Sequence, residues 1–335
     1  MDFFVCQQWR STRGNHAGMV NLCKSLTKLN KENRVLIVPE IRLPVRGQTI
    51  VQSVYYFFIA IILTLRLKKG DRVFLMEYLL PTHNQFIISN IVKYTKPYIK
   101  CVGLAHLVPQ MLNRHFACDA KLKKWGDSVD CILTFGSSLS KYLINRGIGE
   151  NKVKTTFHYV DDYYNEDRPS NCKGRIQIII MGGMQRDFDT LWTIIDNVQD
   201  VDFHLCVGNN NNIYSRFLLM KKMNLQLYGY LTEKELRKLM LQCDLSLNVM
   251  SDTIGSNVIT TSMAMGLGMI VSDVGSIRDY CDESNAFFCK NSEDFIICLN
   301  NISKNPSILN DIKYHAMLKA KRFSINKFHN YIRDL

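Results

Sequence analysis

No two cysteines in this chain are spaced as CxxC, and no Cys/His cluster has zinc-ligand spacing. Eleven scattered cysteines among 335 residues therefore read as reduced thiols rather than a disulfide framework. Proline is scarce, at 7 residues, and glycine numbers only 18, which excludes collagen-like and low-complexity chains. The opening residues Met1–Cys6 lack the basic start and long apolar core of a secretory leader, so none is expected. No apolar run reaches the roughly 20 residues that span a bilayer. The longest, Val54–Leu63, reads as a buried helix of a soluble domain. Its alternative is an interfacial helix, because Arg66, Lys68 and Lys69 follow it. The expected location is cytoplasmic, peripheral on the inner face of a membrane.

Hydrophobic residues make up 47% of the chain, enough for real cores and too many for intrinsic disorder. The length suits two domains. Net charge is +12, unevenly spread: residues 1–160 carry 23 Lys and Arg against 9 Asp and Glu, while residues 161–335 carry 19 against 21. The basic excess lies wholly in the first half and points to an anionic partner. Lys/Arg runs interleaved with aromatics on one face are missing, so nucleic acid is not expected.

Short apolar runs alternate with amphipathic stretches. Strands are predicted at 3–7, 35–38, 72–76, 99–104 and 131–135, then at 176–181, 203–207, 225–228, 245–249 and 269–272. Most are apolar on both faces, as in a parallel sheet buried under helices. Helices are predicted at 20–29, 139–145 and 233–242. Two doubly wound α/β domains follow from this order. The predicted domains are 1–163 and 176–319, with a polar linker at 164–175 that holds Pro169, Ser170, Asn171 and Gly174. The segment 320–335 is a C-terminal helix expected to return to the first domain.

Two loops have the residue types of a phosphate site. After the strand ending at Met181, Gly182-Gly183 makes a flexible turn and Arg186 stands at its mouth. A guanidinium beside glycine backbone gives bidentate, charge-assisted hydrogen bonds to a diphosphate. The alternative is a surface arginine paired with Asp187 or Asp189. The second loop, Gly255-Ser256-Asn257-Val258, opens a helix, whose free amides and dipole favour an anion. Its plainer reading is a helix capped by Ser256 or Asn257. Asp187-Phe188-Asp189 imitates an aspartate-x-aspartate metal motif, but its place at a helix start is favoured by the dipole alone. No metal is expected.

Several blocks, in order, resemble the group 1 family of retaining glycosyltransferases. They are Asp130–Thr134 with Ser137 and Lys141–Leu143; Gly147-Ile148 and Lys152-Val153 leading to His158–Asp161; Tyr228–Thr232 with Glu235-Leu236 and Cys243-Asp244; and Met263–Leu267 followed by Ser272–Ser276. The resemblance implies the GT-B architecture, two Rossmann-like domains facing a cleft. It also implies a nucleotide-diphospho-sugar donor held mainly by the second domain, with no cofactor. The acceptor would be a glycan or a polyprenyl-diphosphate-linked one, as in bacterial O-antigen or capsule assembly. Gly18, in the loop Gly14–Met19, matches the family's glycine loop. His106, at a strand end, matches the histidine beside the transferred sugar; His16, His83 and His115 are less well matched. Tyr230 and Leu231 lie where the family's main chain meets the nucleobase. Catalytic candidates are His106, Arg186 and Asp252. Donor-binding candidates are Gly18, Gly183, Arg186, Tyr230, Leu231, Gly255, Ser256, Asn257, Val258 and Thr261.

The chain departs from the family at its two glutamates, whose places are taken by Thr253 and Thr261. Asp252, one residue earlier, is the candidate stand-in for the first. The departure leaves open a non-catalytic accessory or glycan-binding subunit of the same fold. An epimerase or hydrolase would need an added carboxylate cluster, and none is seen.

Overall fold

The computed structural model describes residues 1–12, 14–40, 45–82, 84–165 and 174–335. His83 and the linker residues Pro169, Ser170 and Asn171 lie outside them. Two compact units are present, one of residues 1–157 with 329–335, the other of residues 158–328.

The first unit has strands β1 (Asp2–Gln8), β2 (Arg34–Pro39), β3 (Arg72–Leu75), β4 (Lys100–Ala105), β5 (Cys131–Thr134) and β6 (Val153–Thr155), all parallel, in the order β2-β1-β3-β4-β5-β6. Phe4 on central β1 aligns with Val35 and Phe74 on its neighbours and stacks on the Phe74 ring at 5.1 Å. Helices α1 (Met19–Leu29), α2 (Val45–Arg66) and α3 (Phe86–Thr95) follow the first three strands. The last residues return to this unit's strands: Tyr331 donates its hydroxyl to the Thr155 carbonyl at 2.9 Å, and Arg72 donates to the Ile332 carbonyl at 2.8 Å.

The second unit has β7 (Ile176–Met181), β8 (Val201–Cys206), β9 (Leu225–Tyr228), β10 (Leu245–Asn248), β11 (Gly268–Ser272) and β12 (Phe287–Cys289), parallel and ordered β12-β11-β10-β7-β8-β9. Residue alternation on β7 shows the double winding. Ile178 and Ile180 join a core with Phe203, Leu247 and Phe295, whereas Ile179 and Met181 join a separate one with Met240, Met265 and Leu267. Each fully buried Ile, Leu or Phe contributes about 1.5–3 kcal/mol. The predicted helix at 233–242 is present and opens with a capping box, Thr232 and Glu235 bonding reciprocally.

Three features differ from the sequence expectation. The units divide after residue 157 rather than within 164–175, and the chain rejoins the first unit at 329 rather than 320. Strands β6 and β12 were not predicted; both are three-residue edge strands, too short to show a period. The run at 54–63 is not wholly buried. Within α2, Gln52, Tyr56, Ile59, Ala60 and Leu63 face the core, while Val54, Phe57, Phe58, Ile61 and Ile62 are exposed. The alternation of two apolar stripes on one helix hid the solvent-facing one in a simple run. Among the described residues no helix is long and apolar enough to cross a membrane.

Candidate functional site

In the second unit the chain runs from β7 outward to β8 and β9, then returns to place β10 on the other side of β7. Ligands of open α/β sheets bind beyond the carboxyl ends of strands at such a reversal. The loops leaving β7 and β10 meet there: Ser251 N–H donates to the Gln185 carbonyl at 3.0 Å, and Asp187 N–H donates to the Val249 carbonyl at 3.1 Å.

Arg186 lies in this junction. Its Nε and Nη1 are enclosed and have no hydrogen-bond partner. Burial lowers its pKa to about 10, which leaves it a cation at neutral pH. The two acids proposed as its surface partners are engaged elsewhere. Asp187 caps the helix Phe188–Asn197 by accepting from Thr190 N at 2.9 Å, and Asp189 pairs with Arg216. Enclosing a cation without a counter-charge is costly, so its donors suit an anionic ligand. Gly182 turns the chain beside the guanidinium in a left-handed conformation. Its φ is +81°, and a Cβ there would lie 3.5 Å from Arg186 Nη2 and 3.3 Å from Val258 Cγ2. Gly183, the glycine singled out from sequence, has open space around its Cβ direction; Gly182 is the member of the pair whose left-handed backbone favours glycine.

Val258 belongs to the helix Asn257–Ala264, so the start of this helix and the guanidinium meet over Gly182. Ser256 is its N-cap and accepts from Ile259 N at 3.4 Å. The N–H groups of the first turn have no intrahelical acceptor and carry the positive end of the dipole. The preceding loop is tightly specified. Thr253 Oγ1 accepts from Gly255 N at 3.0 Å, Asp252 Oδ1 accepts from Thr253 N at 2.7 Å, and Ser276 N donates to the Thr253 carbonyl at 2.7 Å. The Thr253 hydroxyl thus shapes the turn. Desolvation raises the pKa of Asp252, which is half-buried beside Gly275. Thr261 is half-buried one turn after Asn257 on the same helix face.

Tyr230 and Leu231 lie on the same edge of the sheet, after β9, two strands from β7. Tyr230 is exposed, and Leu231 packs against the Met181–Met240 core. His158, which opens the resembling block His158–Asp161, was given no role from sequence. Its Nδ1 lies 3.0 Å from Asn257 Oδ1, and its backbone N–H donates to Tyr280 Oη at 2.9 Å.

Gly18 and His106 belong to the first unit and are placed there separately from these residues. Gly18, with φ +87°, precedes α1; a Cβ on it would lie 3.2 Å from Thr12 Oγ1. A polar cavity of about 230 Å³ adjoins it, lined by Gln8, Gly14, Asn15 and Lys24 among others. His106 directly follows β4. Its Nδ1 is enclosed without a partner, and burial lowers its pKa to about 4, so the ring is neutral. Sequence reading missed Glu77, fully buried where β3 ends beside β1. It accepts from Gln7 N at 3.1 Å and Gln85 Nε2 at 3.0 Å, while Gln7 Oε1 accepts from Gln52 and Tyr56. Desolvation raises Glu77 to about 8. A lone acid in an apolar strand sequence gave no signal of this network.

Residues 175–305 match the sequence family described as glycosyl transferases group 1. No curated protein matches the chain. Among solved structures, HepE from Anabaena, in complex with UDP and glucose, superposes with a TM-score of 0.76 at 11% identity, covering 99% of this chain and 98% of its own. Sucrose-phosphate synthase from Thermosynechococcus elongatus gives 0.77 at 10% identity, covering 100% and 98%. The lipopolysaccharide outer core galactosyltransferase WaaB, in its apo form, gives 0.70 at 12% identity, covering 100% and 99%. The chain therefore has the GT-B fold, and its second unit resembles the group 1 glycosyl transferases.

Proposed function

We propose that this protein is a retaining glycosyltransferase that moves a sugar from a nucleotide-diphospho-sugar to a glycan or lipid-linked acceptor in surface-polysaccharide assembly. The observation that carries the reading is the pair of enclosed, unpartnered donors Nε and Nη1 of Arg186 beside the start of the helix Asn257–Ala264. When the bond between the anomeric carbon and the diphosphate oxygen breaks, its electron pair leaves with the diphosphate. Donors fixed on that group then stabilise the transition state more than the ground state. The acceptor oxygen forms the new bond on the same face, and its proton passes to the departing diphosphate. No side-chain nucleophile is needed. His106, with a neutral ring, is suited to sugar hydroxyls as donor or acceptor, and Thr261 to a ribose hydroxyl. Support for a uridine nucleotide comes from HepE, whose structure holds UDP and glucose. Support for a polysaccharide setting comes from WaaB, a lipopolysaccharide enzyme.

A second reading, a non-catalytic subunit, is favoured by the Thr253 hydroxyl, which is engaged with Gly255 N where the family has a glutamate. A melting panel of nucleotides and nucleotide-sugars, coupled to a radiolabelled transfer assay, separates the two. A ligand at 100 times its Kd adds about 2.7 kcal/mol. Stabilisation by one nucleoside diphosphate with transfer from its sugar supports the enzyme. Stabilisation without transfer to any glycan or lipid-linked acceptor favours the subunit, and no stabilisation by any nucleotide overturns the enzyme and leaves the subunit.

A further inference from the structure

Helix α2 presents a second apolar face to solvent. Ile50, Val54, Phe57, Phe58, Ile61 and Leu65 recur at helical spacing and are all exposed, Phe58 at 58% and Leu65 at 80%. The stripe is too long for a scattered surface residue or two, and the core is already served by Tyr56, Ile59, Ala60 and Leu63 on the other side. From residue 47 to 65 the sequence has no charged side chain. At the end of the helix, Arg66, Lys68 and Lys69 are exposed. Lys96 donates its Nζ to the Leu67 carbonyl at 2.6 Å, which brings the end of α3 alongside the end of α2. In the last turn of α3 and just beyond it, Tyr94 and Tyr98 are exposed amphipathic rings of the kind enriched at membrane interfaces.

The surrounding charge has one sign. Residues 41–118 contain ten Arg and Lys and two acids, Asp71 and Glu77. Both acids are buried, and Asp71 lies 3.3 Å from the Met1 amino group. A second copy docking face to face would set like charges against each other, whereas an anionic lipid surface complements them.

We propose that α2 docks in the plane of an anionic phospholipid bilayer, its Ile50–Leu65 stripe at the headgroup–acyl boundary and Arg66, Lys68 and Lys69 on lipid phosphates. The docking surface is distinct from the sugar-nucleotide site and does not depend on whether that site is catalytic.

The test is co-sedimentation of the full chain with phosphatidylcholine vesicles, with and without phosphatidylglycerol, at low salt and at about 1 M salt, where the Debye length falls to about 3 Å. Wild type should bind the anionic vesicles at low salt, and a weaker fraction should remain at high salt through the apolar stripe. Replacing Arg66, Lys68 and Lys69 by Ala should weaken low-salt binding about fivefold per residue. The pair Phe58→Asp and Ile62→Asp, both exposed, should keep the melting temperature and abolish the salt-resistant fraction. The proposal is overturned if folded wild type does not bind anionic vesicles at low salt, or if the Asp pair binds as well as wild type. It is equally overturned if wild type is a dimer that the Asp pair converts to monomer without any vesicle binding by either.

Discussion

Gly255 sits directly against the ring of Tyr280. A Cβ on Gly255 would lie 2.2 Å from Tyr280 Cε2 and Cζ, and its φ is +90°. The same ring offers its hydroxyl to His158 N–H, so the turn that opens the helix Asn257–Ala264 is fixed by an aromatic core residue. Gly255→Ala should therefore cost about 1–3 kcal/mol in backbone strain and about as much again in displaced packing. Urea denaturation measures the stability loss. Nucleotide affinity should fall with it, because the helix start moves; an alanine variant of wild-type stability would show that the turn tolerates a side chain.

Asp187 accepts from both the backbone and the hydroxyl of Thr190, at 2.9 and 2.8 Å, as a helix cap. Asp187→Ala should cost about 0.5–2 kcal/mol of stability. Sugar transfer by the wild type should continue in excess EDTA. Complete loss of transfer, restored by magnesium or manganese, would contradict phosphate stabilisation by Arg186 and helix amides alone.

Glu77 gives a pH dependence of defined sign. Its folded pKa of about 8 exceeds the ordinary 4.5, so the native state holds a proton the unfolded chain has lost, and stability falls as pH rises through that window. His106 acts oppositely. Its folded pKa of about 4 lies below the ordinary 6.5, so its contribution is lost as pH falls from 6.5 toward 4. The clean window for Glu77 is thus from 6.5 to 8, with a slope of up to about 1.4 kcal/mol per pH unit. Chemical denaturation across that window should show the decline, and Glu77→Gln should flatten it. An equal slope in the variant would place the titrating group elsewhere.

The doubly wound fold was legible because strands such as Ile176–Met181 are apolar on both faces and recur between helical stretches. The edge strands β6 and β12 were not, since three residues such as Val153–Thr155 carry no pattern. The nearness of Arg186 to the start of the helix Asn257–Ala264 was legible in outline, since both follow strand ends on the same side of one parallel sheet. Which glycine the turn requires was not legible, because Gly182 and Gly183 differ only in φ and neighbours. Nor was the use of the Thr253 hydroxyl on Gly255 N, a contact set by loop geometry. His158 reaches Asn257 across 99 residues of sequence, beyond any local pattern.

The most direct test of the phosphate site is calorimetric titration of wild type and Arg186→Ala with UDP. Loss of charge-assisted bonds from an enclosed guanidinium is worth about 1.5–3 kcal/mol, so affinity should fall by about 10- to 150-fold with the melting temperature of the free protein preserved or raised. A folded Arg186→Ala protein that binds UDP as tightly as wild type would contradict the assignment of Arg186 to the donor diphosphate.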